Sequence, residues 1–244
     1  MIRWLPILLV ASSAHAVVFT DDPATHLVTP DSPFAMVGQI DGGCAVLVAP
    51  EYIVTAAHVA HGDVFLLWGE SYGISNTWFH PLYDLAVLRL DRSTGLAGYD
   101  LYRGSDELGQ KIVVVGYGVS GVNYPQPELY PKGACRVGTN TIGDLWGAGF
   151  AFNFQLGEGS PAAGDSGAAS FLFFGRPTPA IVGIHRTICD GDADGICPEL
   201  GDWAIDVRIS AAADWIDSII MPEPVTLALL TIGAVGLLIR RRKS

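Results

Sequence analysis

The chain has 244 residues, with 14 basic and 25 acidic side chains and a formal net charge of −11. Such a surface repels nucleic acid and other anionic polymers, which sets aside a nucleic-acid-binding role. The first sixteen residues form a separate unit. Arg3 is the one cation, Trp4 to Ala11 is apolar, and Ser12 to Ala16 are small, ending in Ala14-His15-Ala16. That order is expected of a cleavable export signal rather than of a buried N-terminal strand or helix. Cleavage after Ala16 would leave Val17 as the new N-terminus.

The body that follows, residues 17–221, keeps 9 cations and 24 anions for a net charge of −15. Its length suits one domain, or two small halves sharing a site. β-rich runs recur at Phe34–Ile40, Cys44–Ala49, Tyr52–Thr55, Val64–Trp68, Asp84–Leu90 and Lys111–Tyr117. They continue at Phe150–Phe154, Ala168–Phe174 and Ala180–Ile184, with Gly-, Pro- and Asp-rich turns between. Many short strands with frequent turns predict an all-β sandwich or barrel. One segment reads as helical, Ser210–Ile220, where Ala211, Trp215, Ile216 and Ile219 recur near helical spacing and Ser210 is placed to cap. Gly118–Lys132, with Pro125, Pro127 and Pro131, is the expected connector between halves of about 17–118 and 119–221.

The far end changes character. Pro222-Glu223-Pro224 precedes an apolar run from Val225 to Ile239, and Arg240-Arg241-Arg242-Lys243 follow. That run is short of the roughly 20 residues that span a bilayer comfortably. The basic end should stay cytoplasmic and leave the body outside. It could serve as an ordinary tail anchor. The tripeptide, apolar stretch and basic end also resemble the PEP-CTERM sorting signal that exosortases recognise in Gram-negative bacteria. The resemblance implies processing of residues 222–244 and delivery to the cell surface, its exopolysaccharide matrix or the medium, after transient anchoring in the membrane.

Export permits disulfides among Cys44, Cys135, Cys189 and Cys197. Cys189 and Cys197 bracket one polar loop and pair first on proximity, leaving Cys44 with Cys135. Three pairings remain open.

Three segments carry chemistry. They are Thr55-Ala56-Ala57-His58-Val59, His80-Pro81-Leu82-Tyr83-Asp84 running into Leu85–Leu90, and Gly164-Asp165-Ser166-Gly167. Each alone has a plain explanation as a turn, a loop end or a tight Gly turn. Together, in the order His, Asp, Ser, they resemble the trypsin-like serine proteases over roughly Pro33 to Ile220. The resemblance implies two six-stranded Greek-key β-barrels with a C-terminal helix. It implies that Ser166 attacks the peptide carbonyl to give an acyl-enzyme, that His58 takes and returns the proton, and that Asp84 holds the ring. Backbone N–H groups of Gly164 and Ser166 match the oxyanion hole, and Asp165 matches the partner of a freed N-terminal ammonium group. No Ile-Val-Gly-Gly-like start is present, so the ammonium is expected from Val17 or Val18 after removal of residues 1–16.

Departures are visible. Val59 stands where a cysteine usually follows the His, Ala168-Ala169 follow Gly167, and the His58-to-Asp84 interval is short. By the same resemblance Ser160 is the pocket floor, which suggests an apolar or aromatic substrate side chain, although nearby Glu158 leaves a basic one open. Ile184, His185 and Arg186 fall on the strand that lines the pocket entrance. Arg186 either rejects cations there or faces solvent.

Cys189 to Cys197 contains Asp190, Asp192 and Asp194 at alternate positions followed by Gly195, like the front of a calcium loop, but without its closing Glu. The alternative is a solvated acidic hairpin. No cofactor is required by the chemistry implied. His61 and His80 read as surface or turn residues, and no zinc spacing is present. The expected partners are a protein or peptide substrate, signal peptidase and an exosortase. Another class fits the same residues: a non-catalytic surface or matrix-binding protein that kept the fold. An esterase would more often show a nucleophile elbow in an α/β pattern, which is absent.

Overall fold

The computed structural model describes residues 17–123, 127–130, 133–193, 195 and 197–221, and for 120–130 the backbone pairing alone. The proposed export signal and sorting tail lie outside these residues. Among the described residues no helix is long and apolar enough to cross a membrane.

Strand β1 (Val18–Phe19) opens the chain. Then β2 (Val37–Ile40), β3 (Gly43–Ala49), β4 (Tyr52–Thr55), β5 (Val64–Leu67), β6 (Glu70–Phe79) and β7 (Ala86–Leu90) close a barrel in the order β2-β3-β4-β7-β6-β5. Side chains alternate across each strand. On β5, Phe65 and Leu67 are buried while Val64 and Leu66 face out. Ala86, Leu88 and Leu90 of β7 point into the barrel with Leu47, Ile53 and Phe65. Val87 points the other way, into a second cluster with Val46, Val54, Val113 and Phe171. That cluster is the seam between the halves, so the start of β7 is apolar on both faces, while Arg89 farther along is exposed.

The second half repeats this logic. β8 (Asp100–Leu101), β9 (Lys111–Gly116), β10 (Ser120–Asn123), β11 (Pro127–Tyr130), β12 (Arg136–Thr141), β13 (Asp144–Trp146), β14 (Gly149–Asn153), β15 (Ala169–Leu172), β16 (Ala180–Cys189) and β17 (Trp203–Arg208) follow. The sheet runs β12-β9-β15-β16-β17-β14-β13, with β8 beside β16. On β9, Val113 and Val115 enter the seam, whereas Ile112 and Val114 enter the second core with Phe150, Phe152 and Val182.

This half is a half-barrel, in keeping with the two-barrel architecture expected, and a side chain links edge strand β12 to the end of β14. Asn140 of β12, 2% exposed, donates from Nδ2 to the carbonyls of Asn153 at 3.1 Å and Gly159 at 3.0 Å.

The expected connector is not a plain loop. Within it β10 and β11 form a hairpin, and β10 pairs in parallel with β1, Val18 opposite Gly121. The helix α1 (Ala213–Ile220) starts three residues later than predicted, after a 3-10 turn at Ile209–Ala211. Ser210 does not cap it, because its hydroxyl donates to Glu107 at 2.6 Å. The disulfide expectation fails as well: none joins the described cysteines. Cys44 instead directs its Sγ to the Gly164 carbonyl at 3.3 Å. Cys135 is buried, and its thiol is pushed up above its ordinary pKa by that burial.

Candidate active site

Strand pairing assembles the first part of the site. β4 and β7 are antiparallel with Thr55 opposite Ala86. Residues just after β4 and just before β7 therefore leave the barrel at the same end. His58 sits in a 3-10 turn, Ala57–Val59, after β4, and Asp84 lies two residues before β7. Asp84 grips His58 twice: Oδ1 accepts from the His58 backbone N–H at 3.0 Å, and Oδ2 lies 2.7 Å from ring Nδ1. An ionised carboxylate can only accept, so Nδ1 carries the proton and Nε2 is left as an acceptor. Arg186 approaches the same Oδ2 at 3.9 Å, so its head is aimed at Asp84 as well as at solvent.

The loop holding the Asp84 segment is organised by a residue whose role composition did not reveal. The Nδ1 of His80 accepts from the N–H groups of Leu82 at 3.2 Å and Tyr83 at 3.0 Å. Its ring stacks on Tyr83 and meets the edge of Trp215 from α1, centroids 4.2 and 4.7 Å apart. Burial there lowers the His80 pKa.

Ser166 lies in the loop before β15. Its carbonyl accepts from Cys44 N–H at 2.8 Å, Gly167 N–H donates to the His185 carbonyl at 2.8 Å, and Ala168 N–H to Asp165 at 2.9 Å. Two glycines are required by geometry. Gly164 has φ +92° and Gly167 φ +83°, and a Cβ on Gly167 would collide with Thr55 Oγ1 and the Cys44 carbonyl. Among the described residues the N–H groups of Gly164 and Ser166 donate to no backbone carbonyl.

Asp165 points inward with no solvent exposure. Its Oδ2 accepts from Ala162 N–H at 2.8 Å and from the Val17 nitrogen at 3.0 Å, and its Oδ1 from Gly118 N–H at 2.7 Å. Burial drives the carboxyl above its ordinary pKa, and the amides and nearby His185 offset this in part. Val17 is itself fully buried, with φ +36°.

His58 and Ser166 face one cavity of about 260 Å³. No hydrogen bond joins them in this structure, and apo catalytic contacts are often longer than in the substrate complex. Pro161, Ala162, Ala163, His185, Arg186, Thr187 and Ile188 complete the wall. Ser160 does not contribute. It pairs with Val18 through its backbone and turns its hydroxyl to the Pro161 carbonyl at 3.3 Å. Ile184 is buried in the seam, and Glu158 accepts from Gln155 N–H at 3.2 Å in its own turn. The walls from Pro161 to Ala163 and at Thr187–Ile188 were not legible from residue type, since small and apolar residues carry no chemical signature.

In the acidic loop, Asp190 accepts from the N–H groups of Asp192 at 3.2 Å, Ala193 at 2.6 Å and Gly195 at 2.7 Å. Its carboxylate braces the loop itself. Asp194 lies outside the described residues, and no group of three metal-ligating side chains is found among those described.

With this geometry in hand, comparison with known proteins identifies the architecture. Among solved structures the chain is similar to neuropsin of mouse brain, a serine protease, with a TM-score of 0.61 and 17% identity over 80% of this chain and 98% of that one. The chain has the trypsin-like fold. No protein-family model matches it, and no curated protein is similar to it. His58 from the first half and Ser166 from the second face one cavity, and Asp84 lies 3.9 Å from Arg186 of the second half.

Proposed function

We propose that the chain is an exported serine endopeptidase acting through an acyl-enzyme on Ser166. The observation that carries this reading is the double grip of Asp84 on His58, which leaves Nε2 as an acceptor on the cavity that Ser166 shares. A serine hydroxyl needs such a base to attack at neutral pH. His58 takes the Ser166 proton as the tetrahedral intermediate forms and returns it to the leaving amine. The N–H groups of Gly164 and Ser166 hold the oxyanion. The protease fold supports a protein or peptide substrate.

The chemistry uses no cofactor. Residues 1–16 are removed by signal peptidase, residues 17–221 form the peptidase domain, and residues 222–244 are the PEP-CTERM signal processed by an exosortase. The mature protein is delivered to the surface, matrix or medium. Cleavage after Ala16 turns the Val17 nitrogen into an ammonium ion that neutralises Asp165, so export itself activates the enzyme. Val17 N already lies 3.0 Å from Asp165 Oδ2, which supports this step.

A fluorophosphonate probe tests the function. Labelling of the mature protein that disappears in Ser166→Ala is expected. A folded protein that takes no label would favour the non-catalytic binding protein.

A further inference from the structure

We propose that Cys44 is a positioning residue for the oxyanion hole, its thiol fixing the peptide plane that lies between the two N–H donors. This rests on the peptidase reading above and adds a residue to its machinery.

Backbone donors stabilise an oxyanion only when their orientation is set before the reaction. In an irregular loop a peptide plane is held through its carbonyl as well as its N–H. The carbonyls from Ala162 to Ser166 are all engaged. Ala162 O accepts from Asp165 N–H at 3.0 Å and Ala163 O from Val119 N–H at 2.7 Å. Asp165 O accepts from Ala168 N–H at 2.9 Å and Ser166 O from Cys44 N–H at 2.8 Å. Backbone amides hold each of these. The Gly164 carbonyl is met by a side chain instead: the Cys44 thiol donates to it at 3.3 Å.

The place of that plane gives the thiol its role. Gly164 N–H belongs to the plane that carries Ala163 O, and Ser166 N–H to the plane that carries Asp165 O. The Gly164 carbonyl marks the plane between them, so turning it changes how the two donors converge. Gly164 has φ +92° and no Cβ, so its own backbone resists such a turn weakly. The thiol supplies the restraint. Cys44 is itself firmly placed. It lies on β3 with no solvent exposure, and its carbonyl accepts from Thr55 Oγ1 at 2.6 Å. The strand approaches the loop so closely that a Cβ on Gly43 would stand 2.6 Å from the Ser166 carbonyl. The first half thus reaches across the seam to set the donors of the second.

A peptide aldehyde and the alcohol of the same sequence test this on the mature protein. Ser166 Oγ adds to the aldehyde carbon and sends the resulting oxygen into the hole, whereas the alcohol binds without that bond. A thiol is a weak donor, so the effect is modest. Cys44→Ala should weaken the aldehyde about fivefold and lower kcat about fivefold per probe-titrated site, with KM and the alcohol changed less than about twofold. Cys44→Ser keeps a donor and should recover most of both losses. Mapping of the wild-type protein, denatured in iodoacetamide without reductant, should find Cys44 alkylated. Equal weakening of aldehyde and alcohol, a Cys44→Ser variant no better than Cys44→Ala, or a wild-type Cys44 joined in a disulfide overturns the role of the thiol. Each leaves the peptidase reading standing. Failure of the folded wild-type protein to react with the fluorophosphonate probe overturns the peptidase reading itself, and this inference with it.

Discussion

The nitrogen of Val17 and the carboxylate of Asp165 meet at 3.0 Å, across 148 residues of sequence, with neither residue exposed to solvent. Asp165 immediately precedes Ser166, so whatever charge Val17 brings is felt by the loop that presents the nucleophile. Burial raises the Asp165 pKa, and the amides and the nearby His185 offset this only in part. An ammonium ion in the same position would reverse that. Val17 also has φ +36°, a conformation costly for a β-branched residue, on the order of 1–3 kcal/mol. The torsion exists only while Ala16 is attached, so cutting that bond relieves the strain.

Extension of the mature N-terminus by one glycine before Val17 should therefore lower kcat/KM by at least about 100-fold, the scale of a misformed oxyanion hole. Asp165→Asn should do the same. Peptide hydrolysis by the two variants is the measurement, and undiminished rates would contradict the activation step.

Asp84→Asn should lower kcat by about 10⁴-fold through loss of the correct His58 tautomer. Ser166→Ala combined with His58→Ala should be no worse than either alone, since the two act as one unit. Activity should fall on acidification, because a protonated His58 cannot accept the Ser166 proton. A flat rate from about pH 8 to about pH 5 would exclude His58 as the base.

His80 braces the loop that leads to Asp84. His80→Ala should lower kcat about tenfold with little change in KM, since Asp84 would lose its placement. His80→Asn should restore much of the loss, because an Asn oxygen can accept the same turn amides. A substitution effect on KM alone would point to substrate contact instead.

Glu107 ties the second half to the segment leading into α1. It is fully buried, and Arg208 donates to its two oxygens at 2.6 and 2.8 Å. Burial would raise its pKa, yet the bonds from Arg208 and Ser210 prevail and lower it. A lowered folded pKa means stability that is present above the ordinary carboxylate range and is lost as pH falls through the folded value. Glu107→Gln should thus destabilise by about 3 kcal/mol at neutral pH. The difference should shrink below about pH 4. Denaturant titrations at the two pH values read it directly.

The strands that could be read from sequence are those buried on both faces or alternating cleanly, such as β3, β5, β7 and β9. Those missed are polar for a reason. β6 carries exposed Ser75 and Asn76 at a register shift, β12 holds Asn140 for its bridge, and β17 holds buried Asp206 for His185. For the candidate site, His58, Asp84, Asp165 and Ser166 drew attention because their residue types and order carry chemistry, and the structure pairs His58 with Asp84 and sets His58 and Ser166 on one cavity. The pocket was legible only in part: His185 and Arg186 line the cavity, but Ser160, at the expected sequence distance, turns into the β1 contact. The disulfides failed for a similar reason: Cys44 was left to Cys135 by subtraction, yet it directs its sulfur to the Gly164 carbonyl.

The central claim is that Ser166 becomes acylated. Mixing the mature protein with a peptide substrate, quenching in acid and mapping the mass of the tryptic fragments tests it most directly. The account predicts one adduct equal to the acyl half of the substrate, carried on Ser166 and absent in Ser166→Ala. Substrate cleavage with no adduct, or an adduct on another residue, would contradict it.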